Sequence, residues 1–164
     1  RAAVHLHGPL SPAGGTTFRI TADVSVTWEL DGLTRLGPLA RGVTAEEVVR
    51  CLGAPTGTFR KATVVAPVLR WGTWLHVYLI DDGHLDAVEV FPPAQVLWRG
   101  VPMLNVPPQA LISQLAQAGL HATGVSEDAI QYLDGAVSLV VLDESDAGPL
   151  TDSVMVDWAT GGST

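Results

Sequence analysis

Among 164 residues there is one cysteine, Cys51, and there are only nine lysines and arginines. A single thiol forms no intramolecular disulfide and no paired-cysteine zinc site, which excludes a disulfide-built secreted scaffold. Within an apolar helical pattern it reads as a small core residue. The scarcity of cations leaves a net charge of −8 and a pI near 4.8. Nucleic acid is a polyanion gripped by clustered Lys and Arg, so this balance argues against it as a partner. An acidic surface serves solubility or complements a basic protein. Long apolar runs are missing too. Leu139, Val140, Val141 and Leu142 form a typical one, far below the roughly 18–20 residues of a spanning helix, and no membrane span is expected. No glycine-rich phosphate loop, GxSxG elbow, HExxH or CxxC occurs. In a short chain those absences move the expectation from enzyme to binding module, and no cofactor is expected. Residues 1–16 lack the basic end and long apolar stretch of a signal peptide. The expectation is a cytoplasmic protein, or a secreted or periplasmic one had a leader preceded Arg1.

What is present is a large apolar fraction with clear local punctuation. Hydrophobic residues make up 47% and charged ones 16%, enough for the core of one domain or of two small units sharing it. Residues 8–16, GPLSPAGGT, read as a loop within a lead-in segment over 1–16. Between 17 and 30, Phe18, Ile20, Val24, Val26, Trp28 and Leu30 alternate with mostly polar residues. That is the period of a half-buried strand, with a turn or bulge at Ala22-Asp23. Residues 42–55, GVTAEEVVRCLGAP, predict a helix of two to three turns. Thr44 and Glu47 have the spacing of a capping box, Val48, Val49 and Leu52 form the apolar stripe, and Gly53 and Pro55 stop the helix. Residues 68–91 read as strands with an Asp82-Gly83 hairpin turn, and Pro92-Pro93 closes this half.

The second half repeats this order. Val43, Val48, Val49 and Leu52 recur 63 positions later as Val106, Leu111, Ile112 and Leu115. The same offset sets Gly72, Trp74 and His76 against Gly135, Val137 and Leu139. The stretch Asp86-Ala87-Val88-Glu89-Val90 is echoed by Asp152-Ser153-Val154-Met155-Val156, and Leu30-Asp31-Gly32-Leu33 by Trp98-Arg99-Gly100-Val101. The pattern is that of an internal duplication, with units over 17–93 and 94–164. The expected fold is α+β: two similar units, each with helices packed on one face of an antiparallel sheet.

The segment Gly42-Val43-Thr44-Ala45-Glu46-Glu47-Val48, running on to Leu52-Gly53-Ala54-Pro55, resembles the helix motif of BamE/SmpA-like units. Tandem units of similar kind build beta-lactamase inhibitory protein, and the duplicated immunity proteins encoded beside bacterial toxins look similar. The resemblance covers about fourteen residues well and the element order of both halves loosely. It departs at Asn105-Val106-Pro107, where the second copy replaces Gly-apolar-Thr, and in lacking the inhibitor's cysteines. It implies helices on one side of an antiparallel sheet and transfers no binding residue, because the motif is largely capping chemistry.

The hairpin WLHVYLIDDGHLDAVEVF, residues 74–91, sorts its side chains by register. Pairs whose numbers sum to 165 set Leu75 against Val90 and Val77 against Val88 on an aliphatic face. On the other face they set Trp74 against Phe91, His76 against Glu89 and Tyr78 against Ala87. This second, aromatic face either receives a partner, since Trp and Tyr are favoured anchors, or packs against the rest of the fold. His76 and Glu89 are either an acid–base pair or a modest cross-strand contact. His5 and His7 lie on one side of an extended segment but lack a third metal ligand. The loop DESDAG, residues 143–148, lacks the donor spacing of a calcium site.

Sequence reasoning therefore favours a protein-binding module that is not an enzyme, most concretely an immunity or inhibitor protein occluding the active site of a basic toxin or enzyme. Its expected partner-binding residues are Trp74, His76, Tyr78, Glu89 and Phe91 with Asp143, Glu144 and Asp146, and neither a catalytic residue nor a metal is expected. An envelope-assembly or scaffold subunit is the second reading. A hydrolase-type enzyme using His76 and Glu89 is the third.

Overall fold

The computed structural model describes residues 26–60, 66–142 and 148–158. The 1–16 lead-in, His5, His7, most of the 17–30 strand pattern, and the acidic residues Asp143, Glu144 and Asp146 lie outside them. Both helices form where the punctuation places them. In α1 (Ala45–Leu52) the Thr44 hydroxyl accepts from the Glu47 amide at 3.3 Å, and the Glu47 carboxylate accepts from the Thr44 amide at 2.8 Å. This reciprocal pair satisfies two otherwise orphaned donors. Gly53, at φ +80, ends the helix and donates to the Val49 carbonyl at 2.8 Å. The second helix, α2 (Pro108–Gln117), starts differently, with Pro108 in its first turn and no side-chain cap. Val48 and Leu52 of α1 are buried, as are Leu111 and Leu115 of α2, so the offset of 63 holds on the helices.

In chain order the first half gives β1 (Thr27–Asp31), β2 (Arg35–Leu36), β3 (Leu39–Ala40), α1, β4 (Gly57–Phe59), β5 (Val68–Trp71), β6 (Leu75–Leu79) and β7 (Leu85–Val90). The second gives β8 (Gln95–Trp98), β9 (Val101–Pro102), α2, β10 (Ala122–Val125), β11 (Ala129–Tyr132), β12 (Val137–Leu142) and β13 (Leu150–Asp157). The fold is α+β, with two helices and two sheets. One is an eight-stranded antiparallel sheet in the order β10-β11-β12-β13-β7-β6-β5-β4. The other is a five-stranded mixed sheet, β3-β2-β1-β8-β9, in which β1 and β8 run parallel. The expected sheet per unit is replaced by sheets that both halves share, and the first half adds three strands to the smaller one where the second adds two.

A single apolar cluster joins the two helices, the small sheet and one face of the large sheet. From the large sheet it takes Leu75 and Val77 of β6, Val88 and Val90 of β7, Val137 and Leu139 of β12, and Val154 and Val156 of β13. Alternation along each strand puts these on one side, and truncating Leu75 or Leu139 to alanine in such packing costs about 2–5 kcal/mol. Trp28 fits this core because Gly37, at φ +54, has no side chain. A Cβ there would lie 2.5 Å from the indole.

The β6–β7 register is the expected one, with Leu75 opposite Val90, His76 opposite Glu89, Val77 opposite Val88 and Tyr78 opposite Ala87. The turn differs. Gly83, at φ +83, donates to the Ile80 carbonyl, and Ile80 pairs with His84 around a three-residue loop. The register then shifts between Tyr78 and Leu79, which brings Leu79 opposite Leu85 and leaves Asp86 as the extra residue. That bulge lets Leu85 and Val88 face the same core despite their odd spacing.

Candidate active site

The other face of the large sheet carries a row, one residue from each strand, in which five of the eight residues are polar: Arg70, His76, Glu89, Ser138 and Gln131. Register pairs link Gly57, Arg70, His76, Glu89, Met155, Ser138, Gln131 and Gly124 from one edge of the sheet to the other. His76 therefore shares its level with Ser138, reached through Glu89 and Met155. Leu139, fully buried, points into the core, so the offset of 63 that set His76 against Leu139 is out by one on the strands. A one-residue slip exchanges the two faces.

Glu89 is the centre of this row. It is 8% exposed, and a carboxylate withdrawn from water needs hydrogen bonds or a charge partner. The Tyr78 hydroxyl donates to its Oε2 at 2.6 Å and the Ser153 hydroxyl to its Oε1 at 3.4 Å. The His76 Nδ1 lies 3.6 Å from Oε2, the loose approach common before a substrate tightens a site. Burial pushes the Tyr78 phenol well above its ordinary range, and the hydrogen bond to Glu89 and that carboxylate's charge push it further. Tyr78 is thereby fixed as a neutral donor. The imidazole is held edge-on between two rings, Phe59 at 5.0 Å and Phe91 at 4.8 Å between centroids. With Nδ1 turned to the carboxylate, proton exchange belongs to Nε2.

This cluster overturns the expectation of an immunity or inhibitor protein, together with its toxin–antitoxin setting, and the expectation that the chain is not an enzyme. A docking face presents its polar groups at the rim, where a partner meets them. Here the carboxylate is sunk into the sheet and draws a tyrosine, a serine and a histidine onto its two oxygens. Of the other described candidates, Phe91 flanks the imidazole, whereas Trp74 leaves the expected face and is half-buried against the main core, edge to face with Trp28 at 5.4 Å. Tyr78, 6% exposed, packs with Val68 and Ala87 beneath Phe59 and Met155.

Ser153 and Phe59 escaped sequence reasoning. Ser153 reaches Glu89 because β13 pairs with β7, a contact between strands far apart in the chain that no local pattern announces. Among the described residues no three His, Cys, Asp or Glu side chains gather as a metal-binding group, and no helix is long and apolar enough to cross a membrane. Comparison with family models, curated proteins and solved structures finds no match to this chain.

Proposed function

We propose that this protein is a hydrolase-type enzyme in which His76 is the general acid–base residue and Glu89 the carboxylate that orients it. The observation that supports this most strongly is the convergence of His76, Tyr78 and Ser153 on one buried carboxylate. In the reaction, His76 Nε2 takes a proton from water as the water oxygen bonds to the acyl carbon. The bond to the leaving group then breaks, and the imidazolium returns the proton to the departing oxygen or nitrogen. Glu89 stabilises the imidazolium through Nδ1, while Tyr78 and Ser153 keep the carboxylate in place. Ser153 is bound to Glu89 rather than to His76, so it is a positioning residue and not the nucleophile. General base catalysis of this kind contributes about 10²–10⁴-fold. His76→Asn is expected to lower the hydrolysis of para-nitrophenyl acetate by at least about 100-fold with an unchanged circular-dichroism spectrum. Equal rates in wild type and variant would sink the assignment.

The chain is further read as a duplication of one α+β unit, over 17–93 and 94–164, in line with the BamE/SmpA-like pattern of its first helix. Three placements support that reading. The large sheet runs as a palindrome about β7 and β13. In each half the residue two positions before the helix accepts from the last strand, Val43 from Leu85 at 2.8 Å and Val106 from Thr151 at 3.1 Å. The strands β1 and β8, which end in the two similar turns at Gly32 and Gly100, lie side by side in parallel.

A further inference from the structure

We infer that Arg70 is a specificity residue of the proposed site and that the substrate carries an anionic oxygen group, a carboxylate or a phosphate, several bonds from the bond cleaved. This rests on the acid–base reading of His76 and extends it to the class of substrate. Arg70 is the register partner of His76, one strand away on the opposite side from Glu89. Guanidinium, imidazole and carboxylate thus stand on three adjacent strands at one level. Arg70 is exposed, and it is the one lysine or arginine that the described strands of the large sheet carry.

Its guanidinium lies over Gly57 of the edge strand. A Cβ at Gly57 would come 3.3 Å from Nη2, and Gly57 does not have the positive φ that would otherwise call for glycine. The glycine provides space. The opposite end of the same row is built alike, with Gln131 laid over Gly124, which also lacks a positive φ; a Cβ there would lie 3.0 Å from Oε1. Covering an edge-strand glycine therefore does not require a charge, since a neutral glutamine does it where the row holds Ser138 and Met155. The positive charge occurs only at the end that holds His76 and Glu89.

A guanidinium offers planar, paired donors suited to carboxylate or phosphate oxygens. With the guanidinium over β4 it sits about two strand spacings from β6, roughly 10 Å, which sets the separation of anion and reacting carbonyl. The net charge of −8 repels an anion at long range, so recognition has to come from this local contact.

The test compares para-nitrophenyl octanoate with the mono-para-nitrophenyl ester of azelaic acid, a nine-carbon diacid whose free end is a carboxylate. Wild type is expected to favour the anionic ester in kcat/KM by about tenfold or more, the effect of one charge-assisted contact. Arg70→Gln should bring the ratio of the two esters toward one, and Arg70→Lys should retain part of the preference. A ratio unchanged in Arg70→Gln, or near one in wild type, overturns the inference. If wild type cleaves neither ester, the acid–base reading fails, and a titration with free azelate decides about Arg70 by itself. A shift of the His76 imidazole resonances in wild type that is lost in Arg70→Gln upholds the anion site. Unmoved resonances in wild type overturn it.

Discussion

A carboxylate withdrawn into the middle of a sheet needs its charge met from close by, and Glu89 draws Tyr78, Ser153 and His76 onto its oxygens. The same arrangement fixes the state of the phenol. Only two tyrosines occur in the chain, Tyr78 and Tyr132, and both are held above their ordinary value of 10.0. For Tyr78 the causes are burial, then the bond to Glu89 and its charge; for Tyr132 the cause is burial. Tyrosine loses a proton to become charged, so a raised folded value means that the fold favours the neutral form. The stability this contributes is complete below the unfolded value and is lost as pH rises through the folded one. The native protein is accordingly expected to show no phenolate absorbance at about pH 10–11, where free tyrosine ionises. The signal should appear only together with alkaline unfolding followed by circular dichroism. A phenolate titration near pH 10 with an intact fold would show that at least one of the two phenols is accessible to solvent.

At the scale of elements, what was legible in the sequence was what neighbouring residues encode. The α1 capping box and its stop are contained within ten residues, Thr44 to Gly53. The hairpin faces follow from strict alternation across one turn, which fixed His76 opposite Glu89. Loop length and long-range pairing were not legible. A three-residue loop and a bulge at Asp86 replace the simpler Asp82-Gly83 turn, because only the bulge points both Leu85 and Val88 inward. The β7–β13 pairing, which brings Ser153 to Glu89, has no local signature at all. The bulge also has an electrostatic consequence. Burial raises the Asp86 carboxyl above its ordinary value of 3.8, and repulsion from Asp157 raises it further. A raised folded value means that the stabilising effect of the protonated form is present at low pH and is lost as pH rises through that value. Asp86→Asn is therefore expected to melt higher than wild type near neutral pH, with the advantage shrinking as pH falls toward about 4 and below. Its carbonyl, which accepts from the Trp158 amide at 2.9 Å, is kept in the variant. A melting difference that does not change between about pH 7 and pH 3.5 would rule out this origin.

For the whole molecule, the two halves are joined by one apolar core and by strand pairing in both sheets. The candidate site lies at that seam, with His76, Tyr78 and Glu89 from the first half and Ser153 from the second. The part of the aromatic hairpin face that carries Tyr78 and Phe91 becomes, once β13 is placed beside β7, the wall of a buried polar cluster, while Trp74 packs into the main core. The most direct test of that assignment is the pH dependence of kcat/KM for para-nitrophenyl acetate in wild type and in Glu89→Gln. If His76 is the base and Glu89 its orienting carboxylate, removing the negative charge beside Nδ1 makes the imidazolium release its proton more readily. The acid limb of the profile then moves to lower pH while the plateau falls. Loss of packing alone would lower the plateau without moving the limb. A limb in the same place in both proteins, or a wild type without esterase activity, would contradict the assignment.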